Sequence, residues 1–548
     1  MEYAGKMALF NEGKDWVYFT NDGYLAGTSR AIPEFSWKIT DPMQSNHRFS
    51  PNVYSFDQFD LKFNRPDVIL QKLIDVNFKL QTKEKIQNNI KYLLKFAEKR
   101  AKLNGLPAIN AERNTLDKGV RISVEIRKQM NQILEINIKQ TNKDKKIIGY
   151  KIFINGVPIY GNYIKKTYPN SEDQINTSEF EIVESVTLSP GQNKIETSAF
   201  TEDGIESPRE SISITYTPPT HRKPNLYFVG IGIDDYNVSS TGGLDALTYA
   251  VKDSKELATA FASVGKKSFG KVYTKLLTDK EVSQESIQTL REFLSHSQVD
   301  DHVILFLSGH GIRKDTKVQD LLIAFGDKIP EHYKLRDKSD IDDVYYYMTS
   351  NSHVDRPWEK AIPLDSIRNL VNGIPSRQKI MFVDTCQSGE KLDLDEQAIV
   401  SLSRNVEIRK TRGKKAQTRG IKLVTIGNSL ENQENMEQHI FQSAVKANAQ
   451  KEMSELFPEL RRGTGTIEIS AATGVQSALE SSEWKNGAFT YVIKEAILKG
   501  KAKDKNGNIT AQSLRSYVLD EVERLTDGQQ TPMVTRDIAG RDFVIFGK

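Results

Sequence analysis

Apolar and polar positions change rhythm along this chain. Around Val120, Ile122, Val124 and Ile126, and again around Ile148, Tyr150, Ile152 and Ile154, apolar side chains alternate with polar ones. That is the pattern of strands with one buried face. Asn155-Gly156, Pro190-Gly191 and Glu202-Asp203-Gly204 punctuate the stretch as turn signals. Residues 117–217 are therefore expected to form a β-sandwich of roughly immunoglobulin size, closed by the stiff linker Thr217-Pro218-Pro219-Thr220. Upstream, residues 1–48 carry aromatics broken by Asn21-Asp22-Gly23, a hairpin signal. Residues 49–116 read as a helical segment, with Ile86, Ile90, Leu93, Leu94, Ala97 and Ala101 on one face that packs onto its own neighbours.

From residue 224 onward short apolar runs alternate with helical periods. Strands are expected over 226–233, 271–277, 303–307, 380–383, 466–471 and 542–546. Between them, Leu244, Leu247, Val251, Leu257, Ala258 and Phe261 fall at helical spacing, as do Ile287, Leu290, Phe293 and Leu294. Further helices are expected over 364–371, over 488–498 with Gly500 as its stop, and over 510–525 with Thr510 as N-cap. This rhythm predicts a mostly parallel sheet with helices on both faces.

Composition narrows the function classes. A chain of 548 residues exceeds what one core supports, so two to four domains are expected. The formal charge of +4 is spread along the chain, which argues against a dedicated nucleic-acid surface. A single cysteine, Cys386, excludes internal disulfides and Cys-rich metal sites. Residues 1–16 lack the apolar stretch of a secretory signal, and no run approaches the about 18 apolar residues of a membrane span. A cytoplasmic protein without membrane contact is the expectation.

Two motifs carry chemistry. Ser308-Gly309-His310-Gly311 follows one apolar run, and Asp384-Thr385-Cys386-Gln387-Ser388-Gly389 follows another. In a parallel α/β sheet, reactive groups gather at the carboxyl ends of strands. A free thiol, with a pKa of about 8.5, needs a base or charge partner near neutrality, and an imidazole supplies one. Cys386 and His310 thus read as a thiol nucleophile with its base. The main-chain N–H groups of Gly311 and Cys386 are candidates for an oxyanion hole.

At these residues the chain, over about 224–548, resembles the caspase-like peptidases, closer to metacaspases and bacterial caspase-family proteins than to animal caspases. The His-Gly and Asp-x-Cys-x-Ser-Gly motifs stand in the family's order and setting. The stretch from Ile469-Ser470-Ala471-Ala472 to Gly487-Ala488-Phe489-Thr490 is similar to the family's small-subunit segment. Residues 1 to about 75 weakly resemble segments adjoining the caspase domain in bacterial multidomain proteins. The resemblance implies a caspase-hemoglobinase fold and a cysteine endopeptidase acting on protein or peptide. One departure is an insertion around residues 331–359, which lengthens the His-to-Cys interval. By the metacaspase pattern, Asp253 and Asp384 form an acidic S1 pocket for Arg or Lys; the plainer alternatives are a solvent-facing or Lys-paired Asp253 and an Asp384 that caps backbone N–H groups.

A basic run over 404–422 holds Arg404, Arg409, Lys410, Arg412, Lys414, Lys415 and Arg419. Such a run is usually a solvated loop, but an enzyme cutting after basic residues could process itself there. Asp504-Lys505-Asn506-Gly507-Asn508 opens like a calcium loop yet lacks the closing acid, so a plain turn is expected and no metal site is assigned. Calcium activation, known in some metacaspases, stays open, with Asp393, Asp395 and Glu396 as a small acidic cluster; no other cofactor is expected. The first 217 residues carry no catalytic pair and are expected to space, dock a regulatory partner or restrain. The rival readings are a legumain- or clostripain-like peptidase and a dormant caspase-shaped scaffold.

Overall fold

A computed structural model describes residues 120–142, 145–161, 164–201, 206–207, 209–326, 341–385, 465–472, 478–536 and 542–547, with shorter stretches at 6–10, 15–20, 24–27, 36–39, 52–55, 65–75, 94, 329, 334, 338–339, 417–418 and 476. The first elements are strands β1 (Lys6–Phe10), β2 (Asp15–Phe19) and β3 (Leu25–Gly27), paired antiparallel in chain order; the Asn21-Asp22-Gly23 signal lies outside the described residues. Strands β4 (Ser36–Ile39) and β5 (Asn52–Ser55) pair antiparallel, followed by helix α1 (Pro66–Asp75). Strand β5 stands at the start of the segment 49–116 read as helical: Val53 and Tyr54 are strand-formers that find partners in Lys38 and Trp37. Of the expected helical face over 86–101, only Leu94 is described, and it is helical.

Seven strands follow: β6 (Val120–Met130), β7 (Ile133–Asn142), β8 (Ile147–Ile154), β9 (Val157–Pro158), β10 (Glu179–Thr187), β11 (Gly191–Thr201) and β12 (Glu210–Tyr216). They form two antiparallel sheets, ordered β10-β7-β6 and β12-β11-β8-β9. Leu134, Ile136 and Ile138 from one sheet and Ile152, Ile154 and Ile195 from the other share one buried cluster. The period-two alternation explains this, since it puts every second side chain on the inner face. Asn155 and Gly156 both take positive φ, 51° and 78°, as a two-residue hairpin turn requires.

The C-terminal half is built on six strands: β13 (Leu226–Gly232), β14 (Val272–Thr278), β15 (His302–Gly309), β19 (Gln378–Thr385), β21 (Thr466–Ser470) and β25 (Met533–Arg536). They make one sheet in the order β14-β13-β15-β19-β21-β25. All pairs are parallel except β21 with β25. Every residue of β15 is buried, because both faces are covered. Val303, Leu305, Leu307, Met381 and Val383 enter one apolar cluster with Ile287, Leu290 and Leu294 of helix α3 (Gln284–Ser295). Ile304, Phe306, Ile380 and Phe382 enter another with helices α2 (Ala250–Ser268), α5 (Ala488–Leu498) and α6 (Ala511–Leu525). Thr510 caps α6 by accepting from Ser513 N at 3.1 Å. Short strands β24 (Ile509–Thr510) and β26 (Val544–Phe546) pair antiparallel beside it.

One local expectation is corrected. Leu244 and Leu247 lie in a loop before α2, not inside it. The Asp234 carboxylate accepts the N–H groups of Ala250 (2.7 Å) and Val251 (3.3 Å), which starts the helix there. The described residues after His310 form further elements. Strands β16 (Gly311–Lys317), β17 (Ile341–Tyr347) and β18 (Ile362–Pro363) make an antiparallel sheet, with helix α4 (Val318–Phe325) between the first two.

The two halves meet at the amino end of the large sheet. Arg377, buried just before β19, donates to Ser189 Oγ at 2.5 Å and to the Thr187 carbonyl. Hydrogen bonds from a charged donor are worth about 1.5–3 kcal/mol. Arg377→Ala is therefore expected to raise amide hydrogen exchange across 187–193 and to split thermal unfolding into two separate steps. Unchanged exchange there would show that the contact does not couple the halves.

Candidate active site

Parallel pairing sets the level of the site. β15 and β19 run in register from His302 opposite Gln378 to Gly309 opposite Thr385. His310 and Cys386 are each the next residue in the chain after that last pair. Cys386 itself lies outside the described residues, as do Arg404, Arg409, Lys410, Arg412, Lys414, Lys415, Arg419, Asp393, Asp395 and Glu396.

His310 is 1% exposed, with its main chain, one ring nitrogen and one ring face in contact. Its main-chain N–H donates to Tyr236 Oη (3.1 Å), and its carbonyl accepts from Met348 N (3.0 Å). The Tyr236 hydroxyl donates in turn to the Met348 carbonyl (3.0 Å), while its ring packs on the imidazole with centroids 4.5 Å apart. Burial raises the Tyr236 pKa well above the ordinary tyrosine value, so the hydroxyl keeps its proton. The imidazole Nε2 sits 2.8 Å from the carbonyl oxygen of Asp245. A carbonyl can only accept, so Nε2 carries the hydrogen and the neutral ring's lone pair is on Nδ1. The loop presenting Asp245 is pinned by Leu247 N on the Asp234 carbonyl and by Thr248 N on Glu480 Oε1, both at 3.0 Å.

Gly311 begins β16 opposite Tyr347. With Met348 N bonded to the His310 carbonyl, that pair is a non-hydrogen-bonded one, so the Gly311 N–H points away from β17. β16 is the edge of its sheet, so that N–H faces its open side.

The two predicted S1 carboxylates are both fully buried and reach one helix end. Asp253, in the first turn of α2, accepts from Asn486 Nδ2 (2.7 Å) on one oxygen and from Gly487 N (3.0 Å) on the other. Asp384, near the end of β19, accepts from Thr490 Oγ1 at 2.9 Å. Gly487 is the N-cap of α5 and Thr490 lies in its first turn, where the helix dipole favours negative charge. Asn486 also donates to Glu256 Oε2 (2.9 Å), which receives the Lys494 ammonium. Burial pushes the Glu256 carboxyl up, but the bonds from Lys494 and Asn486 outweigh it and hold the pKa below its usual value. Asp504, the echo of a calcium loop, caps its own turn by accepting from Asn506 N and Asn508 N.

Beside these carboxylates lie strands β22 (Leu479–Ser481) and β23 (Asn486–Gly487). β22 pairs on its other side with β20 (Gln417–Thr418), in register Gln417 with Glu480 and Thr418 with Leu479. β20 falls inside the basic run.

Several residues of this site were not singled out from the sequence: Tyr236, Tyr347, Asn486, Thr490 and the Asp245 carbonyl. The run Tyr345-Tyr346-Tyr347 was a signal, since three aromatics in a strand-like stretch place two on one face. It lies in the segment that the sequence marks only as an insertion. A main-chain carbonyl leaves no mark in sequence.

A family model described as the caspase domain matches residues 229–544. No curated protein matches the chain. Among solved structures, the fibronectin(III)-like modules of CbhA from Clostridium thermocellum are similar at 16% identity, over 18% of this chain and 100% of theirs, with a TM-score of 0.14. A polysaccharide deacetylase from Bacillus cereus is similar at 13% identity, over 34% of this chain and 59% of its own, with a TM-score of 0.11. Scores this low carry no structural argument.

The close packing around His310 makes Gly309 hard to replace. A Cβ there would sit 2.9 Å from Tyr236 Oη and 3.0 Å from the Tyr347 ring. Gly309→Ala is expected to cost about 1–3 kcal/mol and to lower the thermal midpoint by several degrees. A wild-type melting curve would show that the tyrosines shift freely.

Proposed function

The chain belongs to the caspase-domain family, and on that premise we propose that it is a cysteine endopeptidase cutting after Arg or Lys. The observation that carries this reading is the convergence at one end of the sheet. A histidine with Nε2 committed to a carbonyl shares that end with two buried carboxylates at one helix terminus, and the only cysteine follows Asp384 by two residues.

The chemistry then runs in two halves. His310 Nδ1 takes the Cys386 thiol proton, and the thiolate sulfur attacks the scissile carbonyl carbon. The N–H groups of Gly311 and Cys386 receive the oxyanion. The tetrahedral adduct collapses as the imidazolium gives its proton to the leaving amine, leaving a thioester. Water, deprotonated by the same imidazole, hydrolyses the thioester and restores the thiol. Asp253 and Asp384 draw the P1 cation into place. An acidic P1 would leave buried charge unpaired at roughly 3–5 kcal/mol, which corresponds to discrimination of about a hundredfold to several thousandfold.

An extended peptide would bind by adding a strand beside β22. The pairing of β20 with β22 supports this mode and supports self-processing within 404–422, since residues flanked by Lys415 and Arg419 already run along that strand. We assign 224–548 to the peptidase domain and 117–217 to an immunoglobulin-like sandwich. The segments before them are read as a docking region for a regulatory protein in a cytoplasmic enzyme without a required cofactor.

Cys386→Ala is expected to abolish peptide cleavage; full turnover in that variant would refute the mechanism. Arg-P1 peptides are expected to be cut at least a hundredfold faster than Asp-P1 peptides, and the reverse order of kcat/KM would overturn the pocket. Intact mass of the purified chain is expected to show nicks confined to 404–422 and absent from Cys386→Ala. A single uncut mass for the active enzyme would remove self-processing from the scheme.

A further inference from the structure

β17 touches both of the strand ends that lead into the motif residues. Tyr347 Oη donates to the Ser308 carbonyl at the end of β15, at 2.8 Å. Two residues earlier, Tyr345 Oη meets Thr385 Oγ1 at the end of β19, at 2.5 Å. Met348, next after the strand, takes hold of the His310 main chain. Residues two apart in a strand lie on one face about 6.5–7 Å apart, and neighbouring strands are about 4.8 Å apart. Two tyrosines on one face of β17 can therefore reach β15 and β19 together. Both tyrosines are buried, at 6% and 0% exposure, and Thr385 is at 0%. The Arg313 guanidinium lies over the Tyr345 ring, 5.5 Å from its centroid.

We infer that β17 is a brace across the two catalytic strand ends, and that Tyr345 is a positioning residue for Cys386, acting through Thr385. This rests on reading Cys386 as the nucleophile. Thr385 is the residue that Cys386 follows, so a fixed Thr385 side chain constrains the backbone from which the thiol projects. A threonine is already limited at χ1, and a hydrogen bond to a buried tyrosine selects one orientation. Tyr345 has no proton to move in the reaction. Its contribution is geometric: small displacements of a reacting atom are costly, up to about a hundredfold for roughly 1 Å. The inserted segment, on this account, is part of the machinery that holds the nucleophile at the level of His310.

The single cysteine makes the test direct, because alkylation of the chain by iodoacetamide, followed by intact mass, reads Cys386 alone. Tyr345→Phe and Thr385→Val each remove one hydroxyl and keep the shape. Each is expected to lower kcat about tenfold with KM nearly unchanged, and to move the pH profile of alkylation toward that of His310→Ala. The double variant is expected to be no worse than either single one. Tyr346→Phe, whose lost hydroxyl donates to Thr316 instead, is expected to leave both readouts as in the wild type. Changes below twofold, or effects that simply add in the double variant, would overturn the brace. If Tyr345→Phe fails to fold, Thr385→Val decides by the same criteria. The two claims fail differently. A wild-type thiol that titrates ordinarily and ignores His310→Ala removes the nucleophile, and the brace with it. A thiol that depends on His310 but ignores Tyr345→Phe removes the brace alone.

Discussion

The parallel register between β15 and β19 is the constraint on which the rest of this protein depends. Eight consecutive pairs, ending at Gly309 with Thr385, bring two distant motifs to the same level of one sheet. A slip of one residue would send each side chain of β19 to the opposite face. Both faces are filled, by Met381 and Val383 on one side and Ile380 and Phe382 on the other, so the slip would disturb both cores. Apolar burial thereby sets the position of groups that are not apolar.

Charge is handled at the same end by helices and hydrogen bonds. Asp253 and Asp384 come from segments far apart in sequence, yet both are met by residues 486–490. Burying two carboxylates is costly unless each has donors, and β23 with the start of α5 provides them. β22, which pairs antiparallel with β23, presents Glu480 to Thr248 N, in the loop whose Asp245 carbonyl orients His310. The part of the chain after residue 465 thus completes both the acidic corner and the setting of the imidazole.

The sandwich attaches at the other end. Arg377, just before β19 begins, bonds to the sandwich, and Arg222, in the connection between the two halves, pairs with Asp300 and Asp301 just before β15. Both contacts stabilise the amino ends of the strands whose carboxyl ends carry the motifs.

Sequence by itself determined the elements whose signal is local. Alternation marked the strands of the sandwich and short apolar runs those of the large sheet, helical periods marked α3, α5 and α6, and Thr510 announced its cap. It also marked His310 and Cys386 as chemistry-bearing, because reactive residue types stood in glycine-bearing motifs just past apolar runs, whereas Asp253 and Asp384 were marked only through the resemblance to metacaspases. Only the tertiary structure decided where α2 starts, since its first N–H groups are met by Asp234 from another loop. It alone decided which carbonyl orients His310, which side chains meet the buried carboxylates, and that a stretch marked only as an insertion spans the two strand ends. These are contacts between residues tens to hundreds of positions apart. Local spacing carries no record of such pairs, because they exist only once the sheet register and the packing on both its faces have formed.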